Sequence, residues 1–97
     1  MNRGSSQAPP YEKGRSFEYR VKRHLEGMGY TVFRAGGSRG PADLLAMKRG
    51  ELLLVQCRTG GYLSPRRRDR LRILAENLGA RAILAHRKKG NLTLEEL

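Results

Sequence analysis

Apolar residues recur at helical spacing near the start of the chain. Phe17, Val21, Leu25 and Met28 fall on one stripe, which predicts an amphipathic helix over residues 13–27. Gly27 and Gly29 end it in the way helices commonly end. The period then changes. Thr31, Val32 and Phe33 are β-branched or aromatic and predict a strand over residues 30–35. Near-continuous apolar runs, Leu44-Leu45 and Leu52-Leu53-Leu54-Val55, predict strands over 43–47 and 51–58 that are covered on both faces. Lys48-Arg49-Gly50 supplies the hairpin turn between them, with Gly50 free to take positive φ. Ser64-Pro65 opens a second helix, serine as N-cap and proline in the first turn. That helix runs to residue 78, with Leu71, Leu74, Ala75 and Leu78 facing inward, and Gly79 stops it. Residues 80–86 form a fourth strand, and Leu92-Thr93-Leu94 suits a short edge strand. The order α-β-β-β-α-β contains a βαβ crossover and predicts an α/β fold, a mixed central sheet flanked by helices, in a single domain over residues 13–97. Residues 1–12 carry Gly, Ser, Pro and polar groups without period and read as a flexible N-terminal arm.

Charge narrows the function. The chain has 97 residues and a formal net charge of +11, from 20 Lys and Arg against 9 Asp and Glu. Self-repulsion on this scale disfavours a compact chain, so a polyanionic partner is expected, and nucleic acid is the first candidate. Arginine far outnumbers lysine, which suits bidentate contact with phosphate. The expected DNA-binding cations are Arg15, Arg34, Arg39 and the cluster Arg66, Arg67, Arg68 and Arg70. No apolar stretch nears the ~20 residues of a membrane helix, and no secretory h-region opens the chain, so a cytoplasmic setting without membrane contact is expected; for a phage-encoded chain that is the host cytoplasm. The lone Cys57 excludes an intrachain disulfide and makes a thiolate zinc site unlike this sequence.

The hairpin brings candidate chemistry together. A two-residue turn pairs Lys48 with Glu51, and counting back sets Asp43 opposite Gln56, with Arg58 two residues further on the same face. Asp43 can hold Mg²⁺, which favours oxygen ligands; Gln56 and the backbone carbonyl of Cys57 can add neutral oxygens. Arg58 can neutralise phosphate charge. Glu18, on the flank of the first helical stripe, can reach the same site directly or through water, or can simply pair with Lys22 one turn on. In the glycine-rich loop, Ser38 and Arg39 can meet a phosphate. Cys57 alternates to the other face as a small core residue, and His24 and His86 are expected at the surface. Tyr62 suits either a nucleobase or the core.

Taken together, Glu18, Gly37-Ser38, Pro41-Ala42-Asp43-Leu44-Leu45-Ala46 and Leu54-Val55-Gln56-Cys57-Arg58 resemble the PD-(D/E)xK nuclease superfamily, with its restriction endonuclease-like core. Within it they most resemble the archaeal-type Holliday junction resolvases and their bacteriophage relatives. The resemblance implies metal binding at Asp43 and Gln56, a catalytic cation at Arg58, an acidic helper at Glu18 and a phosphate or metal-water contact at Ser38. It also implies Mg²⁺, with Mn²⁺ able to substitute, and a homodimer acting on a four-way DNA junction. Two positions depart from the family pattern: Gln56 stands where the motif has Glu, and Arg58 where it has Lys. The first removes a negative charge; the second keeps the charge but cannot act as a base. Two other readings of the same features are a DNA-binding protein that keeps the fold without the chemistry, and a nuclease of this superfamily acting on duplex or damaged DNA.

Overall fold

Val21 and Leu25 have no solvent exposure, and Phe17 is nearly as deep. They form the inner stripe of the first helix, α1 (Pro10–Gly27). The computed structural model describes residues 10–35 and 40–97, with side chains from residue 16 onward. The helix thus starts three residues before its expected boundary, and residues 10–12 belong to it rather than to an arm; residues 1–9 lie outside the described part. Met28 leaves the stripe: it follows the helix and is exposed, because the chain has already turned toward β1.

Five strands follow in the described part: β1 (Thr31–Arg34), β2 (Leu44–Lys48), β3 (Glu51–Cys57), β4 (Arg81–Lys88) and β5 (Asn91–Glu96), with α2 (Pro65–Leu78) between β3 and β4. They form one sheet in the order β1-β2-β3-β4-β5. Only β3 and β4 pair in parallel, joined by α2; the other neighbours are antiparallel. The sheet is mixed, as expected, and the residues around Leu92 form a full edge strand.

Each face of the sheet is covered by one helix. On one side Phe17, Val21 and Leu25 of α1 meet Val32, Leu44, Ala46, Leu53, Val55, Ile83 and Ala85. On the other, Leu71 and Ala75 of α2 meet Ala42, Leu54 and Ala82. Alternation along β3 therefore sends 53, 55 and 57 toward α1 and 52, 54 and 56 toward α2. Ser64 caps α2, accepting from the Arg67 N–H, and Gly79 closes it in the left-handed region at φ 66°. Leu78 was expected inside but is exposed, since α2 covers β3 and β4 and its last turn runs past them. None of the described helices is long and apolar enough to cross a membrane.

One cation ties three strands. Arg81, first in β4, bonds Glu51 of β3 and Glu96 of β5, the latter at 2.8 Å. The hydrogen bond from Arg81 holds the Glu96 carboxyl below its ordinary 4.5, with desolvation opposing. A carboxyl depressed in the folded state contributes stability above its unfolded pKa and loses it as pH falls through the lower folded value. Arg81→Met is therefore expected to lower the thermal midpoint at neutral pH, and the difference from the parent should shrink below about pH 4.5. Thermal melts across that range check it. The effect is modest because all three groups are substantially exposed.

Candidate nuclease site

The hairpin forms with the expected two-residue turn: Lys48 pairs with Glu51, and the register runs unbroken to Leu44 opposite Val55. Arg49 and Gly50 both take positive φ, 46° and 83°, as a tight hairpin turn demands. At the far end the register changes. The Asp43 N–H donates to the Val55 carbonyl at 2.8 Å, although Val55 is already the partner of Leu44. Two residues of one strand thus face one of the other, which is a β-bulge.

The bulge corrects the expected opposition of Asp43 and Gln56. It re-aims Asp43 toward the end of β3, where Oδ2 accepts the Cys57 N–H at 2.8 Å. The Asp43 carbonyl in turn accepts the Ala35 N–H at 2.9 Å. The residue is therefore held from both neighbouring strands, and its carboxylate has a fixed direction.

Glu18 reaches this corner from α1. Its pairing differs from the i,i+4 alternative: Lys22 bonds Glu26 instead, at 2.8 Å, and Arg34 of β1 lies 3.6 Å from Glu18. Burial, then the charges of Asp43 and Glu18, push the Cys57 thiol well up from its ordinary value. Cys57 is thus a neutral thiol between two carboxylates on the α1 side of the sheet, and not a thiolate ligand.

Gln56 and Arg58 lie toward α2. Gln56 is buried, 7% exposed, and sits opposite Leu84. The Arg58 N–H bonds the Ala85 carbonyl at 2.9 Å, which anchors it to β4. Its side-chain Nε is the one buried side-chain polar atom without a hydrogen-bond partner among the described residues. Such a donor left unpaired costs about 1–3 kcal/mol. Arg58 also lines a small open cleft of about 170 Å³ with Tyr62, Leu63, Ser64 and Arg67.

The cations divide into two groups. Arg66, Arg67 and Arg70 are exposed in the first half of α2, with Arg70 three and four residues beyond the other two and so beside both on the helix surface. Arg68 turns inward: Nε donates to the Leu63 carbonyl at 2.9 Å, and Nη1 lies 3.8 Å from Glu95. It holds the loop that carries Arg58 rather than standing on the outer face. His86, expected at the surface, is largely buried and faces Glu95 at 3.4 Å. Glu95 thus braces both: the Lys89-Gly90 hairpin pairs His86 with Thr93 and sets Glu95 diagonally across from it. The side chain of Arg15 and the whole of Ser38 and Arg39 lie outside the described residues.

A hard divalent cation suits the donors near the bulge, the Asp43 and Glu18 carboxylates with the backbone carbonyl of Cys57, while the Gln56 side chain leaves β3 on the α2 side of the sheet. Among the described residues no group of three His, Cys, Asp or Glu converges. Mg²⁺ tolerates that, since it keeps several waters and needs only one or two carboxylates.

Comparison with known proteins shows the family and the fold. The family model for archaeal Holliday junction resolvases (Hjc) matches residues 10–96. The crossover junction endodeoxyribonuclease Hjc of Methanocaldococcus jannaschii is 36% identical over 86 residues, covering 84% of this chain and 64% of that protein. The chain therefore spans a little under two thirds of that curated relative. The structure of Hjc from Archaeoglobus fulgidus, described as a Holliday junction resolvase, superimposes with a TM-score of 0.74 at 21% identity, over 87% of this chain and 72% of the other; it shows the shared fold. With its mixed five-stranded sheet, its bulged Asp43 and these matches, the chain belongs to the archaeal Holliday junction resolvase (Hjc) family.

Proposed function

We propose that this protein is a homodimeric endonuclease that resolves four-way DNA junctions by Mg²⁺-dependent phosphodiester hydrolysis. The observation that carries the reading is the pairing of a directed carboxylate, Asp43 on its bulge, with the buried unpartnered Nε of Arg58. One group can hold a cation and the other a phosphate oxygen, and their backbones are fixed at the same end of β3. The curated relative from M. jannaschii is named as a junction endodeoxyribonuclease, which supports the substrate class.

In this reading Asp43, Glu18, the Gln56 amide oxygen and the Cys57 carbonyl would hold the ion. Bound there, it would supply Lewis-acid polarisation of the phosphate and a more acidic water. Arg58 binds the phosphate and offsets the charge that grows in the transition state; a guanidinium does not serve as a base. Arg66, Arg67 and Arg70 dock the backbone of a neighbouring arm. The dimer is supported by the sheet face on the α2 side, where Phe33 and Met47 are about half exposed and line, with Leu52, an open groove of about 890 Å³. Paired subunits would cover this apolar surface and present two sites to a near two-fold substrate.

The test is cleavage of a labelled four-way junction against linear duplex, with Mg²⁺, Mn²⁺ or EDTA. Paired symmetric nicks on the junction, absent with EDTA, support the reading; tight binding without cutting in either metal overturns it. Phosphate contacts should dominate affinity, so raising salt from about 50 to about 200 mM is expected to weaken binding by roughly 10³-fold. Titration by fluorescence anisotropy measures it.

A second reading, binding without cleavage, is favoured by one observation: Gln56 leaves the site with too few acids for a trio. Gln56→Glu discriminates. An added carboxylate near the ion is expected to lower the Mg²⁺ concentration for half-maximal cleavage about ten-fold. A variant that cuts where the parent does not identifies the parent as a binding protein.

A further inference from the structure

Tyr62 is the most exposed large apolar or aromatic side chain among the described residues, at 73%. Exposure alone says little of a loop residue, but the chain on both sides of it is fixed. The Gly61 N–H donates to the Arg58 carbonyl at 2.9 Å and closes a turn. Gly61 has φ +78°, and a Cβ placed there would lie 3.3 Å from the His86 ring, so the backbone rests directly on that side chain. On the other side Leu63 is buried, 3% exposed, and its carbonyl accepts from Arg68. His86 and Arg68 both face Glu95. Three elements therefore converge to hold a short segment whose middle side chain points to solvent. A ring held this way is pre-organised for a contact.

Its surroundings show what contact. Tyr62 shares the small cleft with Arg58 and Arg67, so guanidinium groups border the ring, and Arg66 and Arg70 continue the positive surface along α2. Cations that bind phosphate beside an exposed aromatic that accepts a flat face are the two parts of a site for an unstacked nucleotide. Continuous duplex hides its base faces within the stack. A branch point, a gap or an end exposes them.

We propose that Tyr62 is a stacking platform for a nucleobase exposed at the branch point, next to the phosphate that Arg58 meets. The inference rests on reading the chain as a junction nuclease, and it makes Tyr62 a specificity residue. Phosphate contacts fix position but do not distinguish a branch from a continuous helix; a ring that needs a free base face does. The contact requires the ring and not the hydroxyl.

The experiment uses the full chain with Ca²⁺ in place of Mg²⁺ to hold cleavage back. Three DNAs are compared: a four-way junction with 2-aminopurine beside the branch point, the continuous duplex, and a duplex with a one-nucleotide gap and 2-aminopurine beside it. The parent, Tyr62→Phe and Tyr62→Ala are titrated on each. The parent and Tyr62→Phe are expected to alter the fluorescence at the branch. Tyr62→Ala is expected to lose that change and to bind the junction about ten-fold more weakly, with duplex affinity within about two-fold of the parent. An equal loss on junction and duplex overturns the proposal, as does an Ala variant that binds like the parent or a Phe variant as weak as Ala. If the parent itself does not prefer the junction, the nuclease reading falls, and the gapped duplex decides on the platform by the same comparison.

Discussion

Asp43→Ala is expected to reduce junction cleavage by at least about 10³-fold while leaving junction binding within a few-fold, since affinity comes mainly from the arginines. Single-turnover cleavage at saturating protein, with binding measured separately, checks both halves. The physical ground is that Asp43 is the carboxylate whose direction is set by the backbone: its N–H and C=O are taken by Val55 and Ala35, and its Oδ2 by the Cys57 N–H. The alanine variant also leaves the Cys57 N–H without its acceptor, which costs about 1–3 kcal/mol and mixes a folding effect into the result. Asp43→Asn separates the two. Its amide oxygen can still accept from Cys57, so stability should hold while the charge needed for the ion is lost. A cleaving Asn variant with normal stability would remove Asp43 from the chemistry.

Arg58→Ala is expected to lower the cleavage rate by about 10²–10³-fold, the cost typical of removing one donor to a developing oxyanion. The loss should appear in the rate at saturation more than in affinity, because the exposed cations of α2 still hold the DNA. Arg58→Lys restores the charge but loses the planar fork and the Nε donor, so it should recover only part of the rate. Equal activity in the Arg, Lys and Ala forms would show that the buried Nε has no role in the reaction.

Much of this fold is legible in the residue pattern because local rules and tertiary structure agree. The turn at Arg49-Gly50, the Ser64 cap with Pro65, and the apolar stripe Phe17, Val21, Leu25 each have a short-range cause, and all three stand where the sequence puts them. The misplacements have long-range causes. Leu78 continues a helical stripe, yet it stands last in α2 and is exposed. Met28 continues another, yet the helix has ended. Glu18 has Lys22 at ideal spacing but meets Arg34 instead, since β1 brings a second cation to it. His86 looks like a surface residue until β5 folds back and sets Glu95 beside it.

The candidate site divides in the same way. The identities of Asp43, Gln56 and Arg58 are readable as a motif, and the hairpin count correctly pairs β2 with β3. Alternation then fails at the last step, because no residue type signals the bulge at Asp43. Ala42, just before it, is buried against α2. Tyr62 stays undecided between core and surface until the loop is seen fixed from both sides.

The bulge makes residue number, and not only residue kind, a determinant of this site. A strand has a period of two, so shifting its register by one turns every side chain to the opposite face. Deleting Leu44 would leave Asp43, Gln56 and Arg58 all present, and the hairpin with its two-residue turn intact, yet seat Asp43 in the ladder opposite Val55 and swing its carboxylate away from the Cys57 amide. Two chains with identical site residues and a one-residue difference at the start of β2 can thus differ as nuclease and non-nuclease. Length in this segment is therefore a coordinate along which activity can be switched while fold and charge stay the same.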